Sequence, residues 1–149
     1  MIKEFEFYHG AVLSKIVHHR DEKIEVKTYP STSNASYVIN NDIGLYIKHS
    51  TKRLSPWRFS FMKQHQLELE DMKRNLSKVF LVLVCGHDGI VTLSYNEVKQ
   101  VLDDNHGEVE WISASRTKNL EYTINGSDGG LNRKIGKSDF PRKIFSTYQ

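Results

Sequence analysis

Every residue from Val79 to Cys85 is apolar. The run is too short to cross a bilayer, and its valines favour a strand over a helix. A strand with one solvent-exposed face alternates apolar and polar residues, so both faces of this strand are expected to be covered. Gly86 and Gly89 bracket a turn, and Ile90–Tyr95 predicts the returning strand. The pattern therefore predicts a buried β-hairpin at the thermodynamic centre of the molecule.

Three shorter strands are predicted before this hairpin. Residues 23–29 alternate between apolar and charged side chains, which is the period of a half-exposed strand. Ser36–Ile39 and Ile43–His49 predict the next two strands. The intervening Asn40-Asn41-Asp42 suits a tight turn, because asparagine tolerates a left-handed backbone. The three strands are expected to form one antiparallel meander.

Apolar residues at helical spacing predict a short helix over Tyr8–His19 and a longer one over Met62–Leu76. A third short helix is expected to be capped by Asn96 and to end near Leu102.

Further extended segments are predicted around these helices. Trp57, Phe59 and Phe61 follow at i, i+2 and i+4, so they share one face of an extended segment. Glu110–Ser115 and Asn119–Ile124 predict two late strands. Strands outnumber helices and follow one another in antiparallel runs, which indicates the α+β class. We expect an antiparallel or mixed β-sheet with a short N-terminal helix, one longer central helix and one short later helix.

The length of 149 residues suits a single domain spanning residues 1–149, with a core that needs no disulfide. Cys85 is the only cysteine, and in an apolar strand it is expected to be buried and unreactive. That usage is typical of a reducing compartment. Because neither a secretory signal nor a segment of membrane-spanning length is seen, we expect a cytoplasmic protein without a membrane partner.

The net charge of +3 is mildly basic, but the cations are unevenly distributed. The segment Lys48–Arg58, called the basic segment below, contains no acid. Its cations suit phosphate oxygens and its tryptophan can stack on a base, so we predict contact with DNA or RNA. The predicted nucleic-acid-binding residues are Lys48, His49, Lys52, Arg53, Trp57 and Arg58. The alternative is a solvated loop that covers a buried Trp57.

Acidic residues are concentrated later in the chain, between Glu97 and Glu110. This acidic stretch and the basic segment give the molecule two regions of opposite charge. They also suit a protein partner or a homo-oligomer, so a non-enzymatic protein-interaction module is an alternative function.

The order helix, strand meander, helix, strand over residues 8–95 resembles the restriction-endonuclease-like fold, the PD-(D/E)xK nuclease superfamily. In that family one strand carries an Asp, and the next carries Glu or Asp, any residue, then Lys. The resemblance implies that the two acids bind a divalent metal, usually Mg²⁺, and that the Lys assists water activation or stabilises the phosphate transition state. The spacing matters because residues i and i+2 of a strand share a face.

The family motif maps onto this chain with substitutions. The matching tripeptide on the third predicted strand is Tyr46-Ile47-Lys48, with tyrosine in place of the carboxylate. Asn34 and Ser36 occupy the region of the first Asp. Neutral amides and hydroxyls bind Mg²⁺ less well than carboxylates, so the resemblance predicts weak or absent catalysis.

An intact tripeptide, Glu25-Val26-Lys27, lies on the first predicted strand, and Asp42 lies in the turn before the third. The candidate catalytic residues are Glu25, Lys27, Asp42 and Lys48, and the candidate Mg²⁺ ligands are Glu25 and Asp42. The alternative interpretation of Glu25 and Lys27 is a charged edge strand. An active metal-dependent nuclease that uses these residues is the third function left open.

Overall fold

The structure, a computed structural model, describes residues 1–19 and 22–146. Its helices are α1 (Glu4–Val17), α2 (Lys63–Asn75) and α3 (Tyr95–Val101). Its strands are β1 (Val26–Thr28), β2 (Ser36–Ile39), β3 (Ile43–Ser50), β4 (Trp57–Met62), β5 (Lys78–Cys85), β6 (Gly89–Ser94), β7 (Val109–Ser115), β8 (Thr123–Gly126) and β9 (Gly129–Gly130). Two 3-10 turns follow, at Lys137–Asp139 and Arg142–Phe145. The predicted α+β class is confirmed.

The first sheet has the strand order β1-β2-β3-β5-β6. β1, β2 and β3 form the predicted antiparallel meander. β5 pairs with β3 in parallel, and β6 returns antiparallel to β5. A parallel pair needs a crossover connection, and the segment that contains β4 and α2 supplies it here. The sheet is therefore mixed, with the predicted hairpin joined to the meander through β3.

The second sheet has the order β4-β7-β8-β9, and all of its strand pairs are antiparallel. On β4, Trp57, Phe59 and Phe61 are buried, and the residues between them are exposed. The predicted common face of these three aromatic residues is thus confirmed. Their side chains pack against the first sheet, with which they share a continuous apolar core.

β5 lies between two apolar layers. On one face of the first sheet, Val12 and Ile16 of α1 pack with Phe80 and Val82. On the other face, α2, α3 and the second sheet cover residues such as Leu81. Because both faces are covered, every β5 residue from Val79 to Cys85 is buried. This arrangement confirms the buried hairpin predicted from the continuous apolar run.

Several element ends differ from the predicted ones. α1 begins at Glu4 and not at Tyr8, and the backbone amide of Lys3 donates to Glu6 Oε1 at 2.9 Å beside its first turn. β1 begins only at Val26. β8 begins at Thr123 and not at Asn119, whose φ of 69° interrupts extended backbone.

The cap of α3 is Ser94, so the prediction of Asn96 was wrong. The Glu97 amide donates to Ser94 Oγ at 3.2 Å, and the Ser94 amide donates to Glu97 Oε1 at 2.8 Å. This reciprocal pair is a capping box, which satisfies amides that have no partner inside the helix. Asn96 lies within the first turn and is exposed.

The predicted turn between β2 and β3 is confirmed by its backbone. Asn40 and Asn41 have φ angles of 52° and 64°, in the left-handed region that asparagine tolerates. Among the described helices, none is long and apolar enough to cross a membrane.

Candidate functional site

Lys48 stands near the carboxyl-terminal end of β3, on the face covered by β4 and α2. Its ammonium group donates to the carbonyl oxygen of Ser60 and lies 3.3 Å from His65 Nδ1. It also lies 4.6 Å from the centre of the Phe61 ring, within the range of a cation–π contact. Burial lowers the pKa of Lys48 to about 8. The amine is therefore partly neutral near physiological pH, unlike an ordinary solvated lysine.

His65 is held at the beginning of α2, beside this amine. The backbone amide of Met62 donates to His65 Nδ1 at 3.0 Å, so Nδ1 acts as an acceptor. Burial and the nearby Lys48 charge lower the pKa of His65, while the Glu68 carboxylate opposes the shift. The neutral ring therefore offers the Lys48 ammonium group only a lone pair that is shared with the Met62 amide.

Glu68 on α2 supplies a carboxylate to the same region. Its Oε2 accepts hydrogen bonds from the hydroxyls of Ser36 and Ser33, the latter at 2.7 Å. Ser36 pairs with Tyr46 across β2 and β3. Tyr46 is buried, and burial together with the Glu68 charge raises the pKa of its phenol. We call Ser36, Tyr46, Lys48, His65 and Glu68 the Lys48 cluster.

The Lys48 cluster contains Tyr46 and Lys48, the first and last residues of the tripeptide on β3. Tyr46 and Lys48 share a face of β3, as their i, i+2 spacing requires. Sequence reasoning missed His65 and Glu68, because both lie on α2, and their distance to β3 depends on how that helix packs on the sheet. Chemically, the cluster offers one partly neutral amine, one carboxylate and neutral hydroxyls. It lacks the pair of strand carboxylates that a hard metal ion favours.

The other candidate catalytic residues lie at the opposite end of β3. Asn41 Nδ2 donates to Glu25 Oε2 at 3.1 Å, and Lys27 Nζ donates to Asn41 Oδ1 at 3.0 Å. Asp42 Oδ1 accepts from the backbone amide and the hydroxyl of Ser77, at 3.2 and 2.6 Å. These bonds tie the charged residues to the β2–β3 turn and to the start of β5.

Asp42 and Lys48 are separated by six residues of extended strand, or about 20 Å. Glu25 is held at the same turn as Asp42. A common catalytic site of Glu25, Lys27, Asp42 and Lys48 is therefore excluded by geometry. The separate roles of Glu25 and Asp42 as Mg²⁺ ligands stay predictions.

In the basic segment, Trp57 is only 2% exposed. Its indole Nε1 donates to the Lys52 carbonyl oxygen at 2.8 Å. A buried ring cannot stack on a nucleic-acid base, so the predicted stacking role of Trp57 was wrong, and the alternative of a loop covering Trp57 holds. Gly86, with φ of 56°, lies under the same carbonyl, and a Cβ there would be 2.4 Å from it. Trp57 and Gly86 together fix the position of the loop.

The predicted cations of the basic segment differ in their exposure. His49 is half-buried, lies 2.9 Å from Glu4 Oε1 and stacks on Tyr8 with ring centres 4.4 Å apart. Lys52 and Arg53 are exposed, as is Arg58. The Lys52 amine donates to the Pro56 carbonyl oxygen at 2.9 Å, still at the surface. His49 therefore holds α1 against β3, and Lys52, Arg53 and Arg58 present charge to solvent.

A pocket of about 360 Å³ lies beside Arg53. Its lining residues are Arg53, Leu54, Ser55, Trp57, Asp88, Arg116 and Lys118. Arg116 is engaged within the wall, because its Nε and Nη2 donate to Asp88 at 2.6 and 2.7 Å. That bidentate hydrogen bonding lowers the pKa of Asp88. Lys118 is exposed and lines the pocket together with Arg53, although sequence reasoning did not select it.

Comparison of the chain with models of known protein families, with curated protein sequences and with solved structures gives no significant match. The resemblance to restriction-endonuclease-like proteins therefore rests on element order and on Lys48.

Proposed function

We propose that the protein contacts nucleic acid through Lys52, Arg53, Arg58 and Lys118, on a restriction-endonuclease-like framework with weak or absent catalysis. The observation that carries the proposal is one pocket lined by the exposed Arg53 and Lys118, with the exposed Lys52 next to Arg53 in the chain. Phosphate oxygens are the ligands that such a group of arginines and lysines favours.

The sheet supports the framework part of the proposal. A helix precedes a three-strand antiparallel meander, and a further helix leads to a strand parallel to the third. Lys48 occupies the lysine position of the family tripeptide on that third strand. Arg58 adds a rigid contact point, since its guanidinium group stacks 4.6 Å from the centre of the Trp111 ring.

Weak catalysis follows from the groups around Lys48. Tyr46 replaces the acid of the family tripeptide, and Asn34 and Ser36 occupy the region of the first Asp. Among the described residues, Glu68 is the one carboxylate hydrogen-bonded into the cluster. One carboxylate, already engaged by hydroxyls, is a poor site for Mg²⁺. We therefore expect nucleic-acid binding without efficient metal-dependent cleavage.

The test is binding to fluorescent single-stranded and duplex DNA and RNA, measured by anisotropy at several salt concentrations. Wild-type affinity should fall steeply between about 50 and about 200 mM salt. The double variant K52E/R53E should lose this binding and keep its thermal stability, because both side chains are exposed. The matched control K15E/K23E makes the same change in charge at exposed positions that do not line this pocket. Wild-type protein that fails to bind at low salt would contradict the proposal.

Plasmid nicking in Mg²⁺ or Mn²⁺ tests the catalytic part. We expect little or no nicking. Efficient nicking that is lost in K48A and retained in E25A would instead show an active nuclease centred on the Lys48 cluster. Nicking that is lost in E25A and retained in K48A would favour an active site at the β2–β3 turn.

The alternative of a protein-interaction module is favoured by charge complementarity between copies of this chain. Asp103, Asp104 and Glu108 are exposed, as are Lys52, Arg53 and Arg58. The occupant of the basic surface would then be the acidic loop of a second copy. Light scattering coupled to size exclusion separates the two functions, because a salt-sensitive oligomer without nucleic-acid binding supports only this alternative.

A further inference from the structure

Three carboxylates meet at one end of the second sheet, where the end of α3, the start of β7 and the β8–β9 turn come together. Asp103 follows α3, Glu110 lies on β7, and Asp128 lies in the β8–β9 turn. One oxygen from each can be chosen so that all three lie within 4.8 Å of one another. Two of the carboxylates, those of Asp103 and Asp128, are exposed, and the third is buried.

Glu110 is the unusual member, because its side chain is inside the protein with only 5% of the residue exposed. Its Oε1 accepts from the Gly107 amide at 2.7 Å and from Gln66 Nε2 at 3.3 Å. Its Oε2 is buried and has no hydrogen-bond partner among the described residues. A buried carboxylate oxygen without a partner is costly, so native proteins normally satisfy it with a donor or an ion.

Glu110 and Asp128 also lie in direct contact. Carboxylates this close repel each other when both are ionised. The Asp103 amide donates to Asp128 Oδ2 at 2.9 Å and orients that carboxylate in the cluster. A shared proton or a bound cation would relieve the repulsion.

The neighbouring cations do not neutralise the three acids. Lys99 Nζ pairs with Asp104 at 2.9 Å and with Glu70 at 3.7 Å. His106 Nε2 lies 2.6 Å from the same Glu70. Within the described residues, no ion pair joins Asp103, Glu110 or Asp128 to a lysine, arginine or histidine. The negative charge of the cluster is thus left for a cation from solution.

We propose that Asp103, Glu110 and Asp128 bind a divalent cation of the hard, oxygen-preferring class, with Ca²⁺ favoured. The donor set consists of carboxylates alone, with no thiol or imidazole among them, which suits Ca²⁺ or Mg²⁺ over Zn²⁺. The two exposed carboxylates leave room for water ligands. Ligands from three separate loops and strands form an irregular set, which Ca²⁺ accepts more readily than Mg²⁺ does.

The experiment uses the full chain freed of metal with a chelator, with thermal unfolding and titration calorimetry in Ca²⁺, Mg²⁺ and Mn²⁺. We expect Ca²⁺ to raise the melting temperature in a concentration-dependent way, because it binds the folded state alone. D128N, at an exposed ligand, should weaken Ca²⁺ binding by at least about tenfold. E110Q should do the same, and E108Q, which removes an exposed carboxylate from the same loop, should bind Ca²⁺ as the wild type does.

The proposal is overturned if none of the three cations binds or changes the melting temperature, with E110Q more stable than the wild type. That result would mean that a shared proton holds Glu110 and Asp128 together. If E110Q does not fold, the comparison of Ca²⁺ binding by D128N and by the control E108Q still tests the proposal. Nucleic-acid binding is not part of the readout, so this test is independent of the proposed function.

Discussion

At the scale of single residues, Lys48 owes its unusual chemistry to position. Its side chain leaves β3 on the face where β4 and α2 close over it, so its ammonium group loses water and gains one carbonyl oxygen and one imidazole nitrogen. Neither partner carries a full negative charge when His65 is neutral. The charged form is therefore disfavoured, and the pKa falls to about 8.

We predict that the Lys48 amine titrates near pH 8, well below an ordinary lysine, because burial lowers its pKa. The measurement is reductive methylation with ¹³C-formaldehyde followed by NMR across a pH series, with the Lys48 signal identified by its loss in K48Q. A signal that is lost in K48Q and titrates at the ordinary lysine value would refute the buried environment.

The same shift has a consequence for stability. Between pH 8 and the ordinary lysine value of about 10.4, the unfolded chain binds a proton at Lys48 that the folded chain has released. The contribution of Lys48 to the free energy of unfolding should therefore rise with pH over this window. K48Q should remove that part of the rise in denaturant titrations.

At the scale of elements, Glu97 connects α3 to the end of the chain. It completes the capping box with Ser94 and accepts hydrogen bonds from Lys143, at 2.6 Å, and from Arg133. Burial on its own would raise the pKa of Glu97. The hydrogen bonds from Lys143, the Ser94 amide and Arg133 outweigh it, so the pKa lies below its ordinary value.

We predict that E97Q lowers the free energy of unfolding by about 3 kcal/mol, because it leaves the nearly buried Lys143 without its counter-ion. R142Q is the matched control. It breaks an exposed ion pair with Asp139 and should cost under about 1 kcal/mol. Urea unfolding of both variants checks the comparison, and equal losses would contradict the role given to Glu97.

The pH dependence of the Glu97 contribution has a defined sign. The folded pKa is depressed, so the contribution is complete above the ordinary glutamate value of about 4.3. It is lost as pH falls from there through the lower folded pKa, because the unfolded chain takes up the proton first. The stability of E97Q should therefore fall less steeply with acid than that of the wild type.

At the scale of the whole molecule, β5 joins the parts of the fold. It pairs with β3 on one side and β6 on the other, and its two faces contact separate apolar layers. Each buried large aliphatic side chain contributes roughly 1.5–3 kcal/mol. Opening β5 thus disrupts both layers and both neighbouring strands at once.

We predict that the β5 amides from Phe80 to Val84 show the slowest hydrogen exchange in the protein and exchange only through global unfolding. The internal comparison is β1, a three-residue edge strand that pairs only with β2. Exchange measured by NMR or mass spectrometry should rank β1 far faster. Slower amide exchange in β1 than in β5 would contradict the central role of β5.

The candidate site was only partly predictable from sequence. Lys48 was selected from its place in a strand tripeptide, since strand spacing alone decides which residues share a face. His65 lies 17 residues away from it, and Glu68 lies 32 residues from Ser36. No periodicity indicates which turn of α2 rests on which pair of strand residues. The burial of Trp57 was also undecided in sequence, because a ring in a basic segment can face solvent or core.

By itself the sequence determined the local elements: the apolar β5 run, the turn at Asn40 and Asn41, the alternating aromatics of β4 and the amphipathic α2. Each depends on a period or a residue preference that acts over a few neighbours. Only the tertiary structure decided that β5 pairs in parallel with β3 and that β4 belongs to a second sheet. The same holds for the proximity of Asp103, Glu110 and Asp128. Those outcomes depend on long-range packing and chain reversal, where many pairings satisfy the same local pattern and the burial of the whole core selects one.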